Sequence, residues 1–204
     1  MGAGWWQARG GISNTSEIDV ADVHTGAIER LRTPGLENSD LWSPAWSIDS
    51  RWIYVSAWGE KNGIFRISTG QVSFVEQVWA GRAREVRLDG DRALYFEPNF
   101  GEGIYRIALN GARQPVPVAQ LRTVQPSRAW FVQERKIFYI DVHDQVARLH
   151  ALEPSTGKST DVTGPLPRVA FADGTLSYAS RDRVLIYSEW AESAGAQVIG
   201  LRWK

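Results

Sequence analysis

Apolar residues in this chain come in short runs divided by polar stretches rich in Gly, Asp, Asn and Ser. Five runs are built alike: Trp5-Trp6-Gln7, Ile53-Tyr54-Val55, Leu94-Tyr95-Phe96, Phe138-Tyr139-Ile140 and Ile186-Tyr187-Ser188. Their central aromatics stand 48, 41, 44 and 48 residues apart. After each comes a second β-type run: Ile18 to Val20, Ile64 to Ile67, Ile104 to Ile107, Arg148 to Leu152 and Gln197 to Leu201. The second and third of these alternate in the manner of a half-buried strand. A tight turn then recurs at the same place, as His24-Thr25-Gly26, Ser68-Thr69-Gly70, Asn110-Gly111 and Ser155-Thr156-Gly157. Glycine supplies the positive φ that such a hairpin needs.

A further run closes each unit, at Ile28 to Leu31, Val75 to Val78, Val116-Pro117-Val118 and Thr160 to Val162. Pro115 and Pro117 put that run at a sheet edge, because proline donates no ladder hydrogen bond. Another strand precedes the aromatic run, at Pro44 to Ser47, Glu85 to Leu88, Ala129 to Val132 and Leu176 to Ala179. Four strands repeated at roughly 40–50 residues are the signature of a propeller blade. The pattern therefore predicts an all-β chain, a β-propeller of about five four-stranded units near residues 4–35, 42–80, 84–120, 127–164 and 168–204. The first and last units show three strands each. No amphipathic helix competes, since Gly81 interrupts the best candidate between Val78 and Leu88. Two small sandwiches would use up the strands without explaining one unit repeated five times.

Composition narrows the function more than the fold. The 204 residues carry 23 Lys and Arg against 23 Asp and Glu, which argues against a nucleic-acid binder or an anionic membrane surface as main partner. With no cysteine there is no disulfide framework, thiolate nucleophile or Cys-ligated zinc. The start Met1-Gly2-Ala3-Gly4-Trp5-Trp6 has neither the charged nor the apolar part of a signal peptide, and no membrane-spanning run occurs. Compartment stays open. Six blades at this spacing would need roughly 270 residues. The expectation is therefore either a five-bladed ring or a propeller segment, 1–204, forming an incomplete six-bladed one.

Ser43-Pro44-Ala45-Trp46-Ser47-Ile48-Asp49-Ser50-Arg51-Trp52-Ile53-Tyr54-Val55-Ser56, followed by Asn62-Gly63-Ile64-Phe65-Arg66-Ile67, resembles the WD-repeat-like blade of TolB-type propellers, with Ile48 in place of the family's second proline. Leu88 to Phe96 keeps the Asp-Gly turn and the strand. Ser180 to Trp203 looks like the last blade of propellers that form the C-terminal part of bacterial transcriptional-regulator-like proteins. The resemblance implies that Asp49 and Asp89 cap turns, that no catalytic residue is supplied, and that the chain senses or binds within a larger regulator.

Candidate chemistry is sparse. His24 belongs to a turn, and His150 reads as a surface or satisfied partial-core residue. Asp141 and His143 alternate on one strand, yet two ligands make no metal site. A Gly-x-Ser-x-Gly elbow is absent, and the Gly-x-Gly at Gly101 to Gly103 precedes no helix, so neither hydrolase nor phosphate-cradle chemistry is supported. No cofactor is expected. The outlier is 10 Trp. Trp46, Trp52 and Trp130 read as inter-blade packing, whereas Trp58 and Trp190 follow the second strand of their units, where loops open on one face. Trp58, Phe100, His143 and Trp190 are the expected contacts for a protein, peptide or carbohydrate-like ligand. The competing reading is a propeller glycosidase or lyase using loop carboxylates such as Glu97, Glu102, Glu134, Asp141, Asp144, Glu189 and Glu192.

Overall fold

The computed structural model describes residues 17–70, 73–98, 102–121, 129–144, 146–166, 176–179, 184–191 and 195–202, and beyond 176 only the side chains of Val184 and Ile186. Each sheet is an antiparallel meander. β1 (Ile18–Ala21) pairs with β2 (Ile28–Leu31). β3 (Ser39–Trp46), β4 (Trp52–Gly59), β5 (Gly63–Ser68) and β6 (Val75–Ala80) follow in order. So do β7 (Val86–Asp89), β8 (Ala93–Phe96), β9 (Tyr105–Ala108) and β10 (Val116–Pro117). β11 (Trp130–Gln133), β12 (Lys136–His143), β13 (Val146–Glu153) and β14 (Lys158–Asp161) form another four-stranded sheet. β15 (Leu176–Ala179), β16 (Val184–Ala191) and β17 (Gly195–Arg202) form a sheet of three. The expected strand at Trp5 lies outside the described residues; otherwise the units carry the strands their patterns predict, including a proline-bearing edge strand at β10.

The chain divides into two compact units, Met1–Asn99 with Tyr105–Val116, and Phe100–Ile104 with Pro117–Lys204. In the first, β4 explains why the aromatic triplets are continuous rather than alternating. Ile53, Val55 and Ala57 pack with Ile18, Leu31, Leu36, Leu41, Phe65 and Ile67 on one face of the sheet. Tyr54 packs with Ile64, Val78, Val86, Leu94, Phe96 and Ile107 on the other. A strand buried on both faces has no polar alternate positions to show. In the second unit Phe131 and Phe138 stack at 4.7 Å and 5°, joined by Ile140, Leu149, Leu166 and Leu176.

Two polar devices hold the first unit's sheets in register. On β6, Glu76 accepts from Arg66 and from Arg113, so one carboxylate ties β5 and β6 to the β9–β10 loop. Burial works against its charge, but the two guanidiniums prevail and hold the carboxyl below its usual value. The second device is the turn of the Ser-Pro-x-Trp-Ser motif. Asp49 accepts from the Ser47 hydroxyl at 2.6 Å, the Arg51 backbone N–H at 3.1 Å and Arg51 Nε at 2.6 Å. Ser47 Oγ in turn accepts from the Trp52 N–H at 2.9 Å. These bonds, the Ser47 hydroxyl first, draw the Asp49 pKa from 3.8 to about 2.

A depressed carboxylate pKa contributes stability that is complete above the unfolded value and lost as pH falls through the folded one. Thermal melting of the chain is therefore expected to worsen more steeply between pH 4 and pH 2 than that of Asp49→Asn, the interval being bounded by the two Asp49 values. Parallel melting curves across that interval would show that the turn contributes nothing.

Candidate functional site

Trp58 is the penultimate residue of β4, before the chain turns toward β5, and the β3–β4 register sets it opposite Asp40, with Trp42 opposite Ser56. Residues paired across strands, or two apart along one, share a sheet face. Asp40, Trp42, Ser56 and Trp58 are thus gathered on one side. A bulge between Trp42 and Ala45 makes this possible, with Ser43 at φ 50 taking up the extra length. Pro44 falls within that irregularity, where a missing ladder donor is harmless. β3 consequently starts at Ser39, before the predicted Pro44, and Trp42 belongs to it.

The segment between β6 and β7 closes over this face. Trp58 Nε1 donates to the Ala83 carbonyl. The guanidiniums of Arg82 and Arg84 lie 5.6 and 5.7 Å from the Trp58 ring centroid, within cation–π range. Ser56 Oγ, fully buried, is 3.3 Å from the Trp42 carbonyl and 3.2 Å from that of Arg84. Trp58 is half-buried and acts as a brace rather than an open platform. The ring it supports is Trp42, 6.2 Å away at 42° and 52% exposed.

Ser43 secures the same region from below. Its Oγ accepts from the Val86 N–H at 2.9 Å and from Arg87 Nη1 at 2.8 Å, and it faces Glu85 Oε2 at 3.3 Å. Glu85 and Arg87 form an ion pair at 2.7 Å. Glu97, one of the carboxylates considered for catalysis, is 4% exposed, and its backbone carbonyl accepts from the Arg84 N–H at 2.8 Å.

The other expected contacts fall elsewhere. His143 ends β12 in the second unit, its side chain 83% exposed and its Nε2 3.4 Å from Asp144 Oδ2. Trp190 lies on β16 with its backbone opposite Ala196; its side chain and the whole of Phe100 lie outside the described residues. Glu189 and Glu192 are in the same position. His24 sits in the exposed turn whose Asp22 carboxylate accepts from the Thr25 and His24 N–H groups. His150 is satisfied by Asp161 at 2.9 Å and stacks on Tyr139. Among the described residues no three His, Asp or Glu side chains gather as a metal site would require. None of the described helical residues forms a helix long and apolar enough to cross a membrane.

Sequence reasoning passed over Trp42, Arg82 and Arg84. A signal for Trp42 was present in the Trp-x-Pro spacing, since a residue two before a strand proline can still belong to the strand across a bulge.

The sheets define the class: a β-propeller. No family model matches the chain, and no curated protein matches it by sequence. Solved structures do. TolB from Acinetobacter baumannii is 16% identical with a TM-score of 0.67, over 96% of this chain and 48% of that one. A chain of the nidogen/laminin complex is 11% identical with a TM-score of 0.68, over 92% and 72%. A prolyl endopeptidase is 17% identical with a TM-score of 0.62, over 96% and 30%. The chain thus spans about half of the TolB molecule and under a third of the endopeptidase, and what it shares with all three is the propeller fold.

Proposed function

We propose that this chain is a non-catalytic propeller module that binds a protein partner, the contact surface being the β3–β4 face with Trp42 at its exposed point. It serves on this reading as the sensing or interaction part of a larger protein, as the regulator-like ending of the sequence suggests. The observation that carries it is a tryptophan 52% exposed yet held in place by a second ring. Such a residue offers large apolar area at little loss of conformational freedom, which is the make-up of an interface hot spot. A chain of the nidogen/laminin complex, an assembly of two proteins, shares this fold. The polar groups speak for binding over catalysis. The Ser43 hydroxyl is committed to Val86 and Arg87 and so is not set to attack a substrate.

Trp42→Ala tests the reading, because an exposed side chain can be removed without opening the core. With wild type and variant immobilised side by side, proteins retained by the wild type are expected to bind the variant about 30-fold less tightly, the loss of a 2 kcal/mol hot spot. Equal retention of every protein by both would end the proposal.

A further inference from the structure

Arg82 differs from five other arginines of the first unit. Arg30, Arg51, Arg66, Arg87 and Arg113 each face a carboxylate of this chain. Arg82 is exposed and lies instead over the Trp58 ring, and among the described residues it forms no ion pair. A guanidinium resting on an aromatic face keeps its in-plane N–H donors open, and those donors match a carboxylate in a two-pronged hydrogen bond. Trp42 also packs against Trp58, with ring centroids 6.2 Å apart, and presents its own ring to solvent. Trp58 thus borders both an exposed apolar ring and an unpaired cation.

We infer that this surface recognises an acidic peptide segment of the partner, one in which Asp or Glu stands next to an aromatic or large aliphatic residue. The inference rests on the protein-binding reading above and adds the chemistry of the occupant. The apolar residue covers Trp42 while the carboxylate meets Arg82. A singly charged carboxylate fits better than a phosphate. Asp40 stands opposite Trp58 on the same face, so a dianion would meet more repulsion than a single carboxylate. A nucleic acid fits poorly with a chain whose 23 cationic residues are balanced by 23 anionic ones.

The test is selection of random phage-displayed dodecapeptides on the whole chain, run in parallel on wild type, Arg82→Glu and Trp42→Ala, each confirmed as folded by its melting transition. The wild type is expected to enrich peptides with Asp or Glu beside an aromatic or aliphatic residue. Arg82→Glu should bind those peptides at least about tenfold more weakly and select Lys or Arg at the acidic position, the reversal expected when a charged contact sets specificity. Trp42→Ala should lose them altogether. If Arg82→Glu keeps the acidic preference, or if the wild type selects peptides with no acidic residue, the inference is overturned; loss of those same peptides by Trp42→Ala would still uphold the protein-binding reading. Should the wild type select nothing beyond Trp42→Ala, both fall. A glycan array bound by wild type and Arg82→Glu alike, and lost in Trp42→Ala, would also overturn the acidic peptide in favour of a sugar.

Discussion

Phe96→Ala is expected to destabilise the chain by about 3–5 kcal/mol, the range for removing a large aromatic side chain from a packed core. Phe96 is wholly buried, its ring 4.6 Å from that of Trp79 and 6.0 Å from that of Tyr105. Ile64, Val78, Val86, Leu94 and Ile107 share the cluster, and they come from the β5–β6 and β7–β9 strands of two different sheets. Such walls cannot collapse into the gap without moving a strand, so most of the cavity would persist. Ala83 belongs to the same cluster, and its carbonyl holds the Trp58 indole. The substitution should therefore weaken peptide binding as well as stability, although Phe96 touches no part of the surface. Denaturant unfolding of the two proteins measures the first effect. A loss under about 1 kcal/mol, the level of an ordinary surface change, would mean that the cluster is not packed as described.

The propeller was legible because its units repeat and because each unit's middle strands are buried on both faces. Ile53, Tyr54 and Val55 make a continuous apolar run for that reason, and Gly26 and Gly157, both at φ 72, mark the hairpins that follow the second run. Asp49 was legible as a capping residue since its partners, Ser47 and Arg51, are neighbours in sequence. The binding surface was legible only in part. Trp58 could be placed at the end of a strand, but its partners Ala83 and Arg82 lie about two dozen residues away and meet it through sheet register and an irregular connection. Trp42 was hidden by the bulge at Ser43, which places a proline where a regular strand would begin. No local pattern encodes which aromatic ring is the brace and which is exposed; that depends on which side of β4 the β6–β7 segment closes.

The same connection explains the second large effect, Gly63→Ala, expected to destabilise by about 3 kcal/mol or more, at the upper end of the overpacking range. Gly63 opens β5 and is paired on both sides, with Ala57 on β4 and Ala80 on β6. A Cβ there would lie 2.5 Å from the Trp79 carbonyl oxygen, 2.8 Å from Gln77 Nε2 and 3.1 Å from a Phe65 ring carbon. The glutamine can swing aside, but the carbonyl belongs to the strand itself, at the bulge where Ile64 and Phe65 face Trp79 and Gln77. Relief requires moving the end of β6, from which the chain runs directly into Arg82, Ala83 and Arg84. Gly90→Ala is the fitting comparison. Its φ of 59 is unfavourable for a residue with a Cβ, but nothing lies within 4 Å, so only the backbone term of about 1–2 kcal/mol applies. If Gly63→Ala unfolds no more easily than Gly90→Ala, the close approach of β6 to β5 is not enforced, and the placement of Arg82 over Trp58 loses its mechanical support.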